Sequence, residues 1–193
     1  MKNTKALNPV GHLQIFKLYE NGEEELVFDE NNVITSGMGV GFSHLFAASG
    51  ASSITEYQIL NFLIGSGGDY DDYGVSTYKL KLPILLTDNW GEDTTLIIES
   101  MQPIEAGSLA GTSYPFARIR FSNIHKVTTT SVRYTLVVDR TTLNTKAINE
   151  VGLYMRNPAG LDPPSPILVA YRPFTDIVKT SDFSLIFRWT LQF

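Results

Sequence analysis

The segment from Phe183 to Phe193 constrains the fold of this chain more than any other stretch. Every second residue in it is large and apolar: Phe183, Leu185, Phe187, Trp189, Leu191 and Phe193. A period of two places alternate side chains on opposite faces of a β-strand. The apolar face needs a buried partner surface, whereas the mostly polar face between can meet water. The segment therefore predicts a strand that is tied into a packed sheet.

Strand signals recur along the rest of the chain. They predict strands at about residues 11–19, 24–29, 57–65, 94–101, 115–123, 127–138, 147–155, 167–174 and 183–193. Asn21-Gly22 lies between the first two, and this dipeptide is a strong signal for a tight hairpin turn because both residues tolerate φ > 0. The polar run Asp29 to Asn32 is predicted to close that hairpin.

One stretch departs from the strand pattern. Apolar residues recur there at helical spacing, which predicts a short helix near residues 36–49. Residues 156–166 contain four prolines, which forbid regular structure. Many short strands with a single helix predict a mainly β protein, an antiparallel β-sandwich of Greek-key or jelly-roll type.

The length of 193 residues predicts one β-sandwich domain spanning residues 1–193. We expect a short N-terminal arm at residues 1–9 and a loop-rich insertion at residues 66–93. The arm lacks the apolar core of a signal peptide, and no run approaches the ~20 apolar residues of a membrane span. The sequence thus predicts a protein made in the cytoplasm without a membrane partner.

Charge and cysteine content exclude several functions. Twenty acidic and 15 basic residues give a formal net charge of −5, which argues against nucleic-acid binding because that function needs a basic face. There is no cysteine. Disulfides, thiolate nucleophiles and cysteine-containing zinc sites are therefore excluded.

No residue pattern identifies a catalytic site. The chain contains neither a G-x-S-x-G elbow nor an H-E-x-x-H motif, and its histidines (His12, His44, His125) are not at metal-ligand spacing. Glu99 and Glu150 lie in strand-like stretches where a glycosidase pair could stand, but carboxylates that face solvent would give the same pattern. We expect no catalytic residues, no cofactor and no enzymatic activity.

The acidic loop around Tyr70 is the candidate for an ion site. Asp69, Asp71 and Asp72 could supply oxygen ligands to Ca2+. The loop lacks the twelve-residue calcium pattern with a terminal glutamate, and an ordinary solvated loop is the alternative.

Aromatic residues of the 66–93 insertion and prolines of the 156–166 loop are the candidates for an interface. Aromatic rings offer a large contact area to a partner or a glycan at low entropic cost. The interface candidates are Tyr70, Tyr73, Trp90, Pro163 and Pro164.

Short motifs in the second half of the chain resemble a known family. They are Ile148-Asn-Glu-Val-Gly-Leu-Tyr154, Leu168-Val-Ala-Tyr-Arg-Pro-Phe174 and the terminal strand. Together they resemble the C-terminal regions of tail-fibre, tail-collar and baseplate-associated proteins of tailed bacteriophages. Phe62-Leu-Ile-Gly-Ser-Gly67 is also similar to a strand end of tail-collar-type fibre proteins.

The resemblance implies a structural component of a tailed-phage virion, assembled in the host cytoplasm. It implies a non-enzymatic assembly or adaptor subunit of the tail, baseplate or tail-fibre attachment region. The implied partners are other virion proteins and further copies of the chain in a symmetric homo-oligomer. Two alternatives stay open: a capsid decoration or head or neck fibre protein, and a carbohydrate-binding module that contacts a host surface glycan.

Overall fold

The structure is a computed structural model of the chain. It describes residues 9–35, 37–39, 41–42, 58–65, 116–119, 121–155 and 167–193. The strands in these ranges are β1 (Val10–Tyr19), β2 (Glu24–Ile34), β3 (Ile59–Gly65), β4 (Phe116–Arg118), β5 (Ile124–Thr128), β6 (Ser131–Val138), β7 (Ala147–Met155), β8 (Ile167–Val178) and β9 (Phe183–Gln192).

These strands form two antiparallel sheets that share β2. Sheet A has the order β2-β1-β9-β6-β5, and sheet B has the order β2-β8-β7-β3-β4. The stretch from Glu24 to Asn32 pairs with β1, whereas Val33 and Ile34 pair with β8. The backbone N–H of Thr35 then donates to the Val169 carbonyl at 3.0 Å. The backbone of β2 therefore passes from sheet A into sheet B and connects the two sheets.

The terminal segment lies at the centre of sheet A, hydrogen-bonded to β1 on one side and to β6 on the other. Its alternating apolar side chains from Phe183 to Leu191 are buried, as the period of two predicts. The ring of Trp189 lies 6.0 Å from that of Phe62 in sheet B, and the ring of Phe187 lies 6.3 Å from that of Phe174. The two sheets thus pack face to face, and the predicted mainly β sandwich is confirmed.

A short helical stretch at residues 37–39 and 41–42 closes one end of the core. Met38 is buried in that core, and the ring of Phe42 lies 5.8 Å from that of Phe193. Gly41 lies so close to the Met155 side chain that a Cβ would overlap its sulfur. This part of the predicted helix is confirmed, and the remainder lies outside the described residues. No helix in the ranges above is long and apolar enough to span a membrane.

The prediction for the end of the first hairpin is wrong. The polar run from Asp29 to Asn32 does not close the hairpin but belongs to β2, where it pairs with residues 11–14 of β1. The side chain of Asn32 points into the sandwich, and its Oδ1 accepts a hydrogen bond from Trp189 Nε1 at 2.8 Å. Glu30 and Asn32 therefore continue this strand with side chains that have partners between the sheets. Asp29 instead lies on the outer face.

Three other predicted boundaries also differ from the structure. The long strand predicted at 127–138 is two strands, β5 and β6, joined by a turn at residues 129–130. Among the described residues of the strand predicted at 115–123, Phe116–Arg118 is extended and Phe121–Asn123 is a 3-10 turn. β8 runs to Val178, four residues beyond its predicted end at 174. The strand predicted at 94–101 lies outside the described residues.

The central position of β9 yields a stability prediction. Leu185 is fully buried, whereas its neighbour Ser184 lies on the other face. We expect Leu185→Ala to lower the free energy of unfolding by about 2 to 5 kcal/mol, because it removes buried methyl groups and leaves a cavity. Ser184→Ala serves as the matched control, with an expected change within about 0.5 kcal/mol. Chemical denaturation followed by tryptophan fluorescence measures both, and equal effects would contradict the placement of the core.

Candidate functional site: buried polar groups and an exposed sheet face

The predicted site residues lie outside the part of the chain that the structure describes. This holds for the candidate ion ligands Asp69, Asp71 and Asp72. It also holds for all the interface candidates, which are Tyr70, Tyr73, Trp90, Pro163 and Pro164. These assignments therefore stay predictions. The described residues contain other features of interest, which are buried polar groups and one exposed sheet face.

A buried carboxylate lies on the face of sheet B that points away from sheet A. Glu150 of β7 is completely buried, and the hydroxyl of Tyr171 on the neighbouring β8 donates to its Oε2 at 2.8 Å. Tyr154 lies on the same face and is also fully buried. Burial, and then the charge of Glu150, raises the pKa of Tyr154 far above its ordinary value. The interpretation of Glu150 as a solvent-facing carboxylate is therefore wrong.

Two glycines make room for this cluster. A Cβ on Gly65, which pairs with Glu150 across β3 and β7, would overlap the glutamate carboxylate. A Cβ on Gly152 would come within 2.8 Å of the Tyr154 ring and 2.9 Å of Leu168 Cδ1. The absence of a side chain at these positions is what allows larger groups to fill the face.

This arrangement gives a physical reason for the motif Glu150-Val-Gly-Leu-Tyr154. Its first, third and fifth residues share one face of β7, because side chains alternate along a strand. That face is buried even though it points away from sheet A, and Leu168 and Tyr171 of β8 lie on it as well. Both faces of sheet B are therefore buried at this point, and the motif specifies packing on its outer face.

A second buried charge lies between the sheets. Arg172 of β8 is almost fully buried and pairs with Glu30 of β2, and its guanidinium carbon lies 5.3 Å from the centre of the Phe28 ring. Burial lowers the pKa of Arg172 to about 10. Since Glu30 and Phe28 belong to sheet A, this arginine joins the two sheets beside their shared strand.

A third polar cluster joins the loops at one end of the sandwich. Lys179, after β8, is buried, and its Nζ donates to Asn144 Oδ1 at 3.1 Å and to the Thr180 carbonyl at 2.6 Å. The backbone N–H of Thr145 donates to the Lys179 carbonyl at 2.8 Å. The β6–β7 loop is thus fastened to the β8–β9 turn.

The fastened loop carries backbone strain. Leu143 and Thr145 have φ values of 58° and 69°, which non-glycine residues, and β-branched ones above all, rarely adopt. Asp139 begins the loop, and its Oδ1 accepts hydrogen bonds from Thr141 and Thr142. These bonds hold the pKa of Asp139 below its ordinary value.

The described histidines do not form a metal site. His12 Nε2 lies 2.7 Å from Asp29 Oδ1 on the exposed side of sheet A, and His125 lies on β5. Among the described residues, no group of three or more histidine, aspartate and glutamate side chains could hold a metal ion. His44 lies outside these residues.

The outer face of sheet A, which points away from sheet B, carries an apolar row across four strands. Cα pairing aligns Leu26 of β2 with Phe16 of β1, Phe16 with Ile186 of β9, and Ile186 with Val137 of β6. Leu26 is 48% exposed and Val137 is 44% exposed, whereas Ile186 at the centre is only 5% exposed. We call these four residues the apolar row.

Charged residues flank the apolar row on the same face. Arg188 places its guanidinium carbon 4.4 Å from the centre of the Phe16 ring and donates to Glu24 Oε1 at 2.7 Å. Arg188 and Arg133 lie on β9 and β6 on one side of the row, and Arg133 Nε donates to Thr190 at 3.4 Å. Glu24 lies on the other side of the row, and Asp29 of β2 lies on the same side as Arg188. The Arg188 side therefore carries charges of both signs, and the bond from Arg188 to Glu24 crosses the row. An apolar row with charged groups on both sides can form part of a contact surface.

Sequence reasoning missed the apolar row for an identifiable reason. Each strand contributes only one residue to it, so no local run of apolar residues marks it. The available signal was Ile186, an apolar residue in the otherwise polar set of the terminal segment. One such residue becomes informative only when the strand register places its neighbours beside it.

No family model, curated protein or solved structure matches this chain.

The buried hydrogen bond to Glu150 yields a second prediction. Tyr171→Phe keeps the ring but removes the hydroxyl that donates to the buried carboxylate. We expect a loss of about 1 to 3 kcal/mol in the free energy of unfolding, because a buried acceptor loses a donor. Tyr19→Phe is the matched control, since the Tyr19 hydroxyl bonds to Glu25 at an exposed position, and it should change stability by less than about 0.5 kcal/mol. Equal losses in urea denaturation would argue against the assignment.

The Asp139 loop yields a prediction about acid stability. The folded state lowers the pKa of Asp139 below the value of about 3.8 that the residue has in the unfolded chain. The ionised carboxylate therefore stabilises the fold at pH values above 3.8. This contribution is lost as the pH falls through the lower pKa of the folded state. Asp139→Asn lacks this contribution. We expect the stability difference between wild type and variant to shrink as the pH falls from about 5 to about 2. A difference that stays constant in urea denaturation across this range would contradict the prediction.

Proposed function

We propose that this chain is a non-enzymatic structural subunit of a tailed-bacteriophage virion, acting in assembly or as an adaptor in the tail, baseplate or tail-fibre attachment region. The observation that carries the proposal is that the segments resembling such proteins form one packed unit. β7 and β8 are hydrogen-bonded neighbours in sheet B. β9 packs against them from sheet A through the contact of Phe187 with Phe174.

The use of the buried polar groups supports a role without catalysis. Tyr171 bonds to Glu150, Glu30 pairs with Arg172, and Lys179 bonds to Asn144. Each pair links two strands or two loops of the sandwich. Groups that are occupied in this way hold a scaffold together, and they do not present a nucleophile or a general base to a substrate.

The exposed face of sheet A supports a role in contact. The two ends of the apolar row, Leu26 and Val137, are about half exposed, and charged residues flank the row on both sides. A subunit that works by being held between neighbours needs such a surface, since virions are built from many copies in closed symmetry. The partners in this proposal are other virion proteins and copies of the chain itself.

The test is to look for the protein in purified phage particles. We expect mass spectrometry to detect the chain in intact, nuclease-treated virions at a fixed ratio to the major tail protein. Gold-labelled antibodies against the chain should mark the tail or baseplate in electron micrographs. A particle that lacks the protein would overturn the proposal.

The location of the label also separates the alternatives. Label over the capsid would favour a decoration or head or neck fibre protein. Binding of the purified chain on a glycan array, with no label on the particle, would instead favour a carbohydrate-binding module.

A further inference from the structure

We propose that Lys179 and Asn144 react with each other and form an intramolecular isopeptide bond between the β6–β7 loop and the β8–β9 turn. The inference goes beyond the proposed function and does not rest on it. The nucleophile and its target both belong to this chain and react once. The bond is therefore a modification of the scaffold, and it requires no substrate.

The two reacting groups are already in contact. Lys179 Nζ donates to Asn144 Oδ1 at 3.1 Å, so the amine lies beside the carboxamide carbon that carries this oxygen. Asn144 Nδ2 donates in turn to the Arg140 carbonyl at 2.8 Å, and this bond orients the amide with its oxygen toward the lysine. When two groups are held together in good alignment, their effective concentration reaches about 10⁵ M or more.

The backbone holds the two residues against each other. The N–H of Thr145 donates to the Lys179 carbonyl at 2.8 Å, and the N–H of Lys179 donates to the Lys146 carbonyl at 2.9 Å. The residues on both sides of Asn144 have positive φ values, 58° at Leu143 and 69° at Thr145. Strain of this kind persists only where the surroundings enforce it, and it is concentrated at functional sites. Here the strained turn presents the Asn144 side chain to the lysine.

The surroundings of Lys179 favour its neutral amine, which is the nucleophilic form. The residue is completely buried, and its Nζ lies 5.3 Å from the centre of the Phe183 ring. Burial lowers the pKa of Lys179, against the opposing effect of the charges of Asp139 and Asp182. A larger fraction of this amine is therefore unprotonated than in a lysine that is surrounded by water.

The reaction conserves atoms and needs no co-reactant. The lone pair of Lys179 Nζ attacks Asn144 Cγ and forms the new N–C bond, while the electrons of the carbonyl double bond move to Oδ1. A proton then passes from Nζ to Nδ2. Collapse of this tetrahedral intermediate restores the carbonyl, breaks the Cγ–Nδ2 bond and releases ammonia. No atom is oxidised or reduced.

The new bond closes a covalent loop from Asn144 to Lys179 that contains β7 and β8. A cross-link across so many residues removes conformational freedom from the unfolded chain, and it thereby stabilises the folded one. The bond thus fastens two strands of sheet B at the end of the sandwich where both of the linked loops lie.

Intact-mass spectrometry of the purified full chain tests this proposal. After incubation of the folded protein at neutral pH, we expect a mass below that of the sequence by about 17 Da, the mass of one ammonia. Tryptic digestion should then yield a branched peptide in which fragments that contain Asn144 and Lys179 are joined. A folded wild-type chain that keeps its full mass would overturn the proposal.

Matched variants assign the loss of mass to this pair. Lys179→Arg keeps the positive charge but removes the nucleophile, and Asn144→Ala removes its target. We expect both variants to keep their full mass. Lys146→Arg makes the same lysine-to-arginine change at an exposed position of the same loop, and we expect it to lose ammonia as the wild type does.

An asparagine can also lose ammonia by cyclising onto its own backbone, with the same change in mass. That reaction needs no lysine and gives no branched peptide. A loss of mass that persists in Lys179→Arg, or a wild-type digest without the branched peptide, would therefore overturn the proposal. The wild-type digest decides the question even where a variant fails to fold.

Discussion

The fold depends on the burial of one strand that is paired on both of its edges. β9 exchanges backbone hydrogen bonds with β1 and β6 along nearly its whole length, and its inward side chains fill the space between the sheets. Trp189 contributes both its ring to the core and its Nε1 hydrogen to Asn32 of β2. Gly11 leaves the space that the Asn32 amide occupies, because a Cβ there would overlap it. Backbone pairing, packing and one buried polar bond therefore specify the same register.

The two sheets have different surroundings, and this difference separates their roles. Sheet A is buried on one face and meets solvent on the other, where the apolar row and its charged margins lie. Sheet B is buried on both faces around Glu150 and Tyr154. Sheet A therefore has one face open to contact, whereas sheet B is packed on both faces at this point. β2 and the Arg172–Glu30 pair connect sheet B to sheet A.

The sequence predicts the elements of sheet A better than the side-chain roles in sheet B. In β9 and β1, a solvent-facing side alternates with a buried one, so the period of two is visible. In β7 both sides are buried, and nothing local distinguishes a buried carboxylate such as Glu150 from an exposed one. Its hydrogen-bond donor Tyr171 lies 21 residues away in the sequence. The apolar row was likewise beyond local reasoning, because it exists only through the register of four strands. The predicted site residues, such as Asp69 and Trp90, lie outside the described residues.

The pairing of β1 with β9 also has a consequence for how the chain acquires its fold. Val10 pairs with Gln192, so strands near opposite ends of the sequence are adjacent in sheet A. Contacts between residues so far apart in sequence close large loops, and they slow folding because chain entropy is lost before the contacts form. During synthesis, Leu13 and Ile15 of β1 emerge long before the strand that covers one of their edges. Until then, the β1–β2 hairpin exposes an unpaired strand edge and an apolar face. Exposed edges and apolar faces of this kind promote aggregation of incompletely folded chains. The nascent chain therefore stays prone to aggregation until β9, the strand that completes the core, has been synthesised and has paired with β1.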